Sequence, residues 1–162
     1  MKRCKLLAVI AVSSVILMFF FACNGKPDLV VSSLQVTGPP VLNAGAYELP
    51  IRVVVNNQGS SAAGVFKVSV EYTGPGGTFA VSFTVPGQPN IWYPYTTVGL
   101  AAGNSVTFDG KLTFHPSVNS VTVTIKAIAD SCGGDEFMPG YCRVDESNEA
   151  NNKSTAVTVV LP

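Results

Sequence analysis

A single histidine, His115, and a single tryptophan, Trp92, serve a chain of 162 residues, and only 12% of those residues are charged. No serine lies in a G-x-S-x-G setting and no H-E-x-x-H occurs, so neither nucleophilic nor zinc-dependent hydrolysis finds its usual residues. His115 is followed by Pro116 at a predicted strand end, where a lone histidine reads as a surface residue. A pair of carboxylates could in principle hydrolyse glycosides, but that needs a cleft flanked by both. A short chain spending its residues on strands has little left to build one. We read the protein as non-enzymatic. "GPGG" at 74–77 lacks the Lys-Ser/Thr and the helix of a phosphate loop, so it reads as a hairpin turn. No helical period and no internal repeat is visible beyond the first 22 residues.

Basic residues are scarce too. Ten lysines and arginines balance ten acids, but Lys2, Arg3 and Lys5 fall in "MKRCKLLAVIAVSSVILMFFFAC". A basic start, the apolar run Leu6 to Phe21 and the small residue Ala22 before Cys23 make residues 1–22 a secretory signal peptide helix. The run is short for a bilayer-spanning helix, which needs about 20 residues. "FFAC" resembles a bacterial lipobox, with Phe20 where an aliphatic residue is usual. The expectation is lipidation of Cys23, with 23–27 as lipidated start and spacer. A plain secretory cut or an uncleaved anchor are the alternatives. Asn24 is not the aspartate of inner-membrane retention, which favours the outer membrane over the inner for a lipid-anchored product, with a secreted or periplasmic product as the alternative. Beyond residue 22, seven basic residues face ten acidic ones, a net charge of −3. That argues against nucleic acid as a partner and against charge-driven membrane binding, leaving the lipid as the hold on a membrane.

Cysteine is equally sparse. With Cys4 removed and Cys23 modified, Cys132 and Cys142 remain. In an exported protein they are expected to form a disulfide around "CGGDEFMPGYC", worth roughly 2–3 kcal/mol on the chain-entropy account. No second cysteine pair or histidine cluster points to zinc.

What the chain does have is alternation. "FKVSVEY" sets Phe66, Val68, Val70 and Tyr72 against Lys67, Ser69 and Glu71, and "FAVSFTV" sets Phe79, Val81, Phe83 and Val85 against smaller residues. "SVTFDGKLTF" and "SVTVTIKAIA" follow the same period of two. "DLVVSSLQV" from Asp28, "LPIRVVVNN" from Leu49, with Pro50 expected at the strand start, and "STAVTVVLP" from Ser154 complete the set. About seven short β-branched or aromatic strands separated by Gly/Pro/Asn turns predict an all-β, immunoglobulin-like antiparallel β-sandwich over residues 28–162.

Two stretches invite ligands. "IWYPY" carries Trp92, Tyr93 and Tyr95. Exposed, these rings could stack on a glycan or anchor a protein; buried, they would plug one end of the sandwich. "VDESNEANN" gathers Asp145, Glu146, Asn148, Glu149, Asn151 and Asn152, the right oxygens for calcium, though not at EF-hand spacing. The competing reading is turn chemistry: Asp and Asn satisfy backbone groups in tight crossings.

Three motifs then carry a resemblance. Asp28, Leu29 and Val30 open the first strand; Asn57, Gln58 and Gly59 follow the next; Glu146, Ser147, Asn148, Glu149, Asn151 and Asn152 precede the last. Together, over Pro27 to Pro162, they resemble the CARDB family, bacterial cell-adhesion-related domains with an immunoglobulin-like sandwich. The segment Ser131 to Arg143 looks like an insertion relative to that family, and the 86–103 connection looks long. The resemblance implies a binding or adhesion module at the cell envelope. Its partner would be an envelope or surface protein, with a glycan or a calcium-dependent contact as alternatives.

Overall fold

The computed structural model describes residues 25–88, 93–115, 121–131 and 144–162. Among these, eight strands form: β1 (Leu29–Val36), β2 (Val41–Asn43), β3 (Ala46–Asn57), β4 (Val68–Gly74), β5 (Gly77–Thr84), β6 (Ser105–Phe114), β7 (Val121–Ala129) and β8 (Val157–Leu161). Every pairing is antiparallel, in the order β1-β3-β6-β5-β4-β7-β8, with β2 also on β3. The sheet rolls into a nearly closed sandwich, the all-β immunoglobulin-like architecture expected from the alternation. The additional strand is β2, three residues whose apolar members both face solvent, so no alternation marks it.

Alternation fills the core. Leu49, Ile51, Val53 and Val55 of β3, Phe108, Leu112 and Phe114 of β6, and Val123, Ile125, Ala127 and Ala129 of β7 are buried. In β1 the phase slips: Leu29 and Val31 point inward, then Leu34, because the register shifts between Val31 and Ser33. This bulge explains the spacing of three in "VSSL". β5 serves both halves of the sandwich. Its residues Gly77–Val81 pair with β4 and Ser82–Thr84 with β6. Where it crosses, β6 carries Gly110, whose missing Cβ would lie 2.1 Å from the Thr84 carbonyl oxygen.

Three details differ from the sequence reading. Pro50 lies inside β3, not at its start. Its carbonyl accepts the Thr37 N–H at 2.9 Å, so its nitrogen faces the gap between β1 and β2, where no strand asks for a donor. Lys67 and Ser69 are buried although they sit on the polar phase of "FKVSVEY", where the 94–96 segment and Ser131 pair alongside the chain. Lys67 bridges to Tyr95, its carbonyl accepts the Ser131 N–H, and the Ser69 hydroxyl donates to Ser131 Oγ at 2.6 Å. Phe79 shares the phase of Val81 and Phe83 but stands near the hairpin tip, beyond the core, and is 46% exposed.

The β2–β3 hairpin turns through Ala44 and Gly45, with φ of 47° and 82°. Two central residues with positive φ make a type I′ turn, which alanine tolerates poorly. Ala44→Gly is expected to raise stability by about 1 kcal/mol, read as a higher urea midpoint at unchanged slope.

Candidate functional site

The sandwich has two unlike ends. One gathers the start of the described chain, the 57–61 turn, the 99–104 turn and the 144–153 segment; the other carries the β2–β3 and β4–β5 hairpins.

The first end is a hydrogen-bonded clamp on residues 26–29. Asn57 is the last inward-facing residue of β3 and is fully buried. Its Oδ1 accepts the backbone N–H groups of Asp28 and Gly59, each at 3.1 Å. Its Nδ2 donates to the carbonyls of Ser61 at 2.8 Å and Leu100 at 2.9 Å. Four backbone groups from three segments thus end on one amide. Gly59 lets the turn close: a Cβ there would lie 2.4 Å from the Lys26 carbonyl oxygen and 2.6 Å from the Asp28 nitrogen. Because both obstacles are backbone, Gly59→Ala should cost about 1–3 kcal/mol, measured by urea unfolding.

The 144–153 segment closes the clamp from the other side. Glu146 is 4% exposed; its carboxylate accepts the Leu29 N–H and, at 2.8 Å, the Asn152 amide. Asn151 donates to Asp28 Oδ1 at 2.9 Å, the Ser147 N–H to the Pro27 carbonyl at 2.8 Å, and Lys26 pairs with Asp145. Glu149 accepts the Glu146 N–H at 3.0 Å, and Asn148 accepts the Ala150 N–H at 3.1 Å, the two-residue reach of an Asx turn. Asp130, with φ 47°, starts the crossing and accepts the Val144 N–H at 2.7 Å. Burial pushes the Glu146 carboxyl up to about 7. The hydrogen bonds from Leu29 and Asn152 oppose the rise, while the charges of Glu149 and Asp130 add to it.

All six residues of the candidate calcium set therefore lie in this clamp, mostly engaged with protein groups. Asn151 Oδ1 and Asn152 Oδ1 are buried without a hydrogen-bond partner. Among the described residues no three His, Cys, Asp or Glu side chains group so as to hold a metal ion. The aromatic patch is divided. Tyr93 is buried, so its ring offers no open face to a sugar. Tyr95 is half-buried, its backbone N–H and carbonyl both held by the Gln88 side chain. Trp92, Cys23, Cys132 and Cys142, and with them the expected disulfide and signal peptide, lie outside the described residues. His115 is exposed at the end of β6.

Sequence reasoning noted Asn57 only as part of a motif and missed its role as hub. The available signal was an amide in the inward phase of "LPIRVVVNN", where every other member is apolar. Lys26 was missed because a spacer lysine shows no pattern.

At the opposite end Val41, Leu42 and Phe79 are exposed apolar side chains. Leu42 is 60% exposed and pairs across the hairpin with Tyr47, which pairs in turn with Phe114. Tyr72 packs against Phe79 and edge-on against Phe114, with ring centroids 5.5 and 5.4 Å apart. Between the 84–88 segment and Pro50, Ile51 and residues 109–111 lies an open cleft of about 550 Å³, whose Asp109 and Lys111 are already paired with Arg52 and Glu48.

No curated protein matches the chain. Among solved structures, a β-glucosidase from Kluyveromyces marxianus aligns at 14% identity and a TM-score of 0.36, over 86% of this chain and 14% of its own. The sporulation control protein Spo0M from Bacillus subtilis aligns at 15% identity and a TM-score of 0.32, over 65% of this chain and 42% of its own. The chain thus spans a minor part of either protein, and scores this low carry no argument. No enzyme family is detected. The family model for CARDB matches residues 26–156, from the clamped lysine to the threshold of β8, and the chain belongs to the CARDB family of immunoglobulin-like, adhesion-related domains.

Proposed function

We propose that this chain is a non-enzymatic display module of the bacterial envelope, held by lipid on Cys23 and presenting its far end to a protein partner. The observation that carries the reading is the polarity of the molecule. Lys26, Pro27, Asp28 and Leu29, only a few residues after Cys23, are tied one after another into the clamp. The exposed apolar side chains Val41, Leu42 and Phe79 stand at the other end of strands as long as the 12 residues of β3, about 40 Å away. A membrane tether at the clamped end turns this tip outward; three large apolar side chains are exposed there, against Val98 on a turn at the clamped end, and grouped exposed apolar side chains mark contact surfaces.

Two measurements test this. Cys23→Ala should abolish fatty-acid incorporation and move the protein out of the membrane fraction. A photo-crosslinking residue at Leu42 or Phe79 should give a discrete protein adduct in intact cells, and one at Ser147 should not. Equal adducts from both ends, or none from the tip, would overturn the tip as the contact surface.

A calcium-dependent contact has the two orphaned amide oxygens of Asn151 and Asn152 in its favour, and the engaged carboxylates of Glu146 and Asp145 against it. We expect equal melting temperatures in millimolar calcium and in excess EDTA. A rise of several degrees with calcium, lost in Glu149→Ala, would reassign the clamp as a metal site.

A further inference from the structure

Among the described residues the sheet has two edges, and they are built differently. On one side β1 is broken by the bulge at Ser32, β2 is three residues long, and Pro39 and Pro40 stand between them. Bulges, short strands and prolines are the usual means of blunting an edge against further pairing. On the other side β8 pairs with β7 in unbroken register from Val157↔Ile125 to Leu161↔Val121 and has no second partner among the described residues. From Thr155 to Leu161 it has no proline and no charge, and Val160, on its solvent face, is 67% exposed. Among the described residues, one edge is guarded and the other is open.

We propose that β8 is a self-association site, adding the same strand of a second copy antiparallel across a two-fold axis. Only an antiparallel pairing lets one edge complement itself under such an axis. Side chains opposite each other must also share a face of the joined sheet. Centring the axis on Val159 meets both conditions. Val157 then faces Leu161 of the second copy, Thr158 faces its Val160, and Val159 faces Val159. On the solvent face Thr158 meets Val160, β-branched on β-branched, a favourable cross-strand combination. The strip Thr155–Leu161 carries no charge, so a second copy of it meets no like charge there, although the chain beyond residue 22 carries a net charge of −3. The pairing does not depend on the lipid anchor or on the apolar tip.

The test uses the chain from Gly25 to Pro162, which holds all of the core from Leu29 to Leu161. Sedimentation should show a monomer–dimer equilibrium, and amide exchange of Val157–Leu161 should slow as concentration rises. The double variant T158K/V160K sets like charges opposite each other in that register and should weaken the dimer at least about tenfold. Both positions are exposed, so folding should survive, and V160K alone gives a milder version. V98K, exposed on a turn at the clamped end, should leave association unchanged. A monomer at every concentration overturns the proposal, as does a dimer equally insensitive to V98K and T158K/V160K.

Discussion

Asn57→Ala is expected to lower the unfolding free energy by about 4 kcal/mol, among the largest effects of any single substitution here. The substitution removes little apolar contact. It strands the N–H groups of Asp28 and Gly59 and the carbonyls of Ser61 and Leu100, all served by one side chain. A buried backbone group left without a partner costs about 1–3 kcal/mol, and some of the four will find water as the turns loosen. Asn57→Asp separates the two halves of the amide's work. A carboxylate still accepts from Asp28 and Gly59 but turns a negative oxygen towards two carbonyls, so it should recover only part of the loss. The neighbouring Asn56, outward-facing and bonded to the exposed Ser32 hydroxyl, is the control, and its alanine variant should cost less than about 1 kcal/mol. Urea unfolding followed by circular dichroism measures all three. A loss near that of Asn56→Ala would mean that the clamp does not hold the N-terminal segment.

The second large effect depends on pH. In the unfolded chain Glu146 titrates near its ordinary value of 4.5; in the fold, burial raises it to about 7. Between those values the folded protein keeps a proton that the unfolded chain has released. The contribution is therefore fully present below about pH 4.5 and is lost as pH rises through about 7, the reverse of a salt-bridged carboxylate. The interval corresponds to at most ~3 kcal/mol. Glu48 and Asp109, lowered by hydrogen bonds from Lys111 and Arg52, act the other way, but only below their ordinary values, so the windows do not overlap.

Glu146→Gln should remove the slope between about pH 5 and 8 while keeping the fold. Asn152 can turn its amide so that the otherwise unpartnered Oδ1 accepts from the new side-chain N–H₂. Glu146→Ala offers no such exchange and should cost about 3 kcal/mol, since it orphans the Leu29 N–H and the Asn152 amide together. Denaturant midpoints at several pH values for the wild type and both variants decide this. A wild-type profile flat from pH 5 to 8, or a Gln variant with the same slope, would refute a buried, proton-holding Glu146.

Much of this architecture was legible before any coordinates. The period of two placed β6 and β7 almost to the residue. "GPGG" marked the β4–β5 hairpin, and the acidic-amide motif before the last strand pointed to CARDB. Alternation survives in sequence because it is local: it records which face of a strand is wet, and neighbouring residues carry that record together. Tertiary structure decided the rest. The polar phase of "FKVSVEY" cannot show that the 94–96 segment and Ser131 pair beside Lys67 and Ser69. "DESNEANN" shows oxygens, but not that Glu146 turns inward to the Leu29 N–H. Asn57 stands 29 positions from Asp28 and 43 from Leu100, and Glu146 stands 117 from Leu29. Bonds of that range depend on which strand ends meet, so topology, not any short pattern, makes the clamp. The edges follow the same rule: the residues of β8 declare a strand, but only the order of the sheet shows that no strand pairs with its outer side among the described residues.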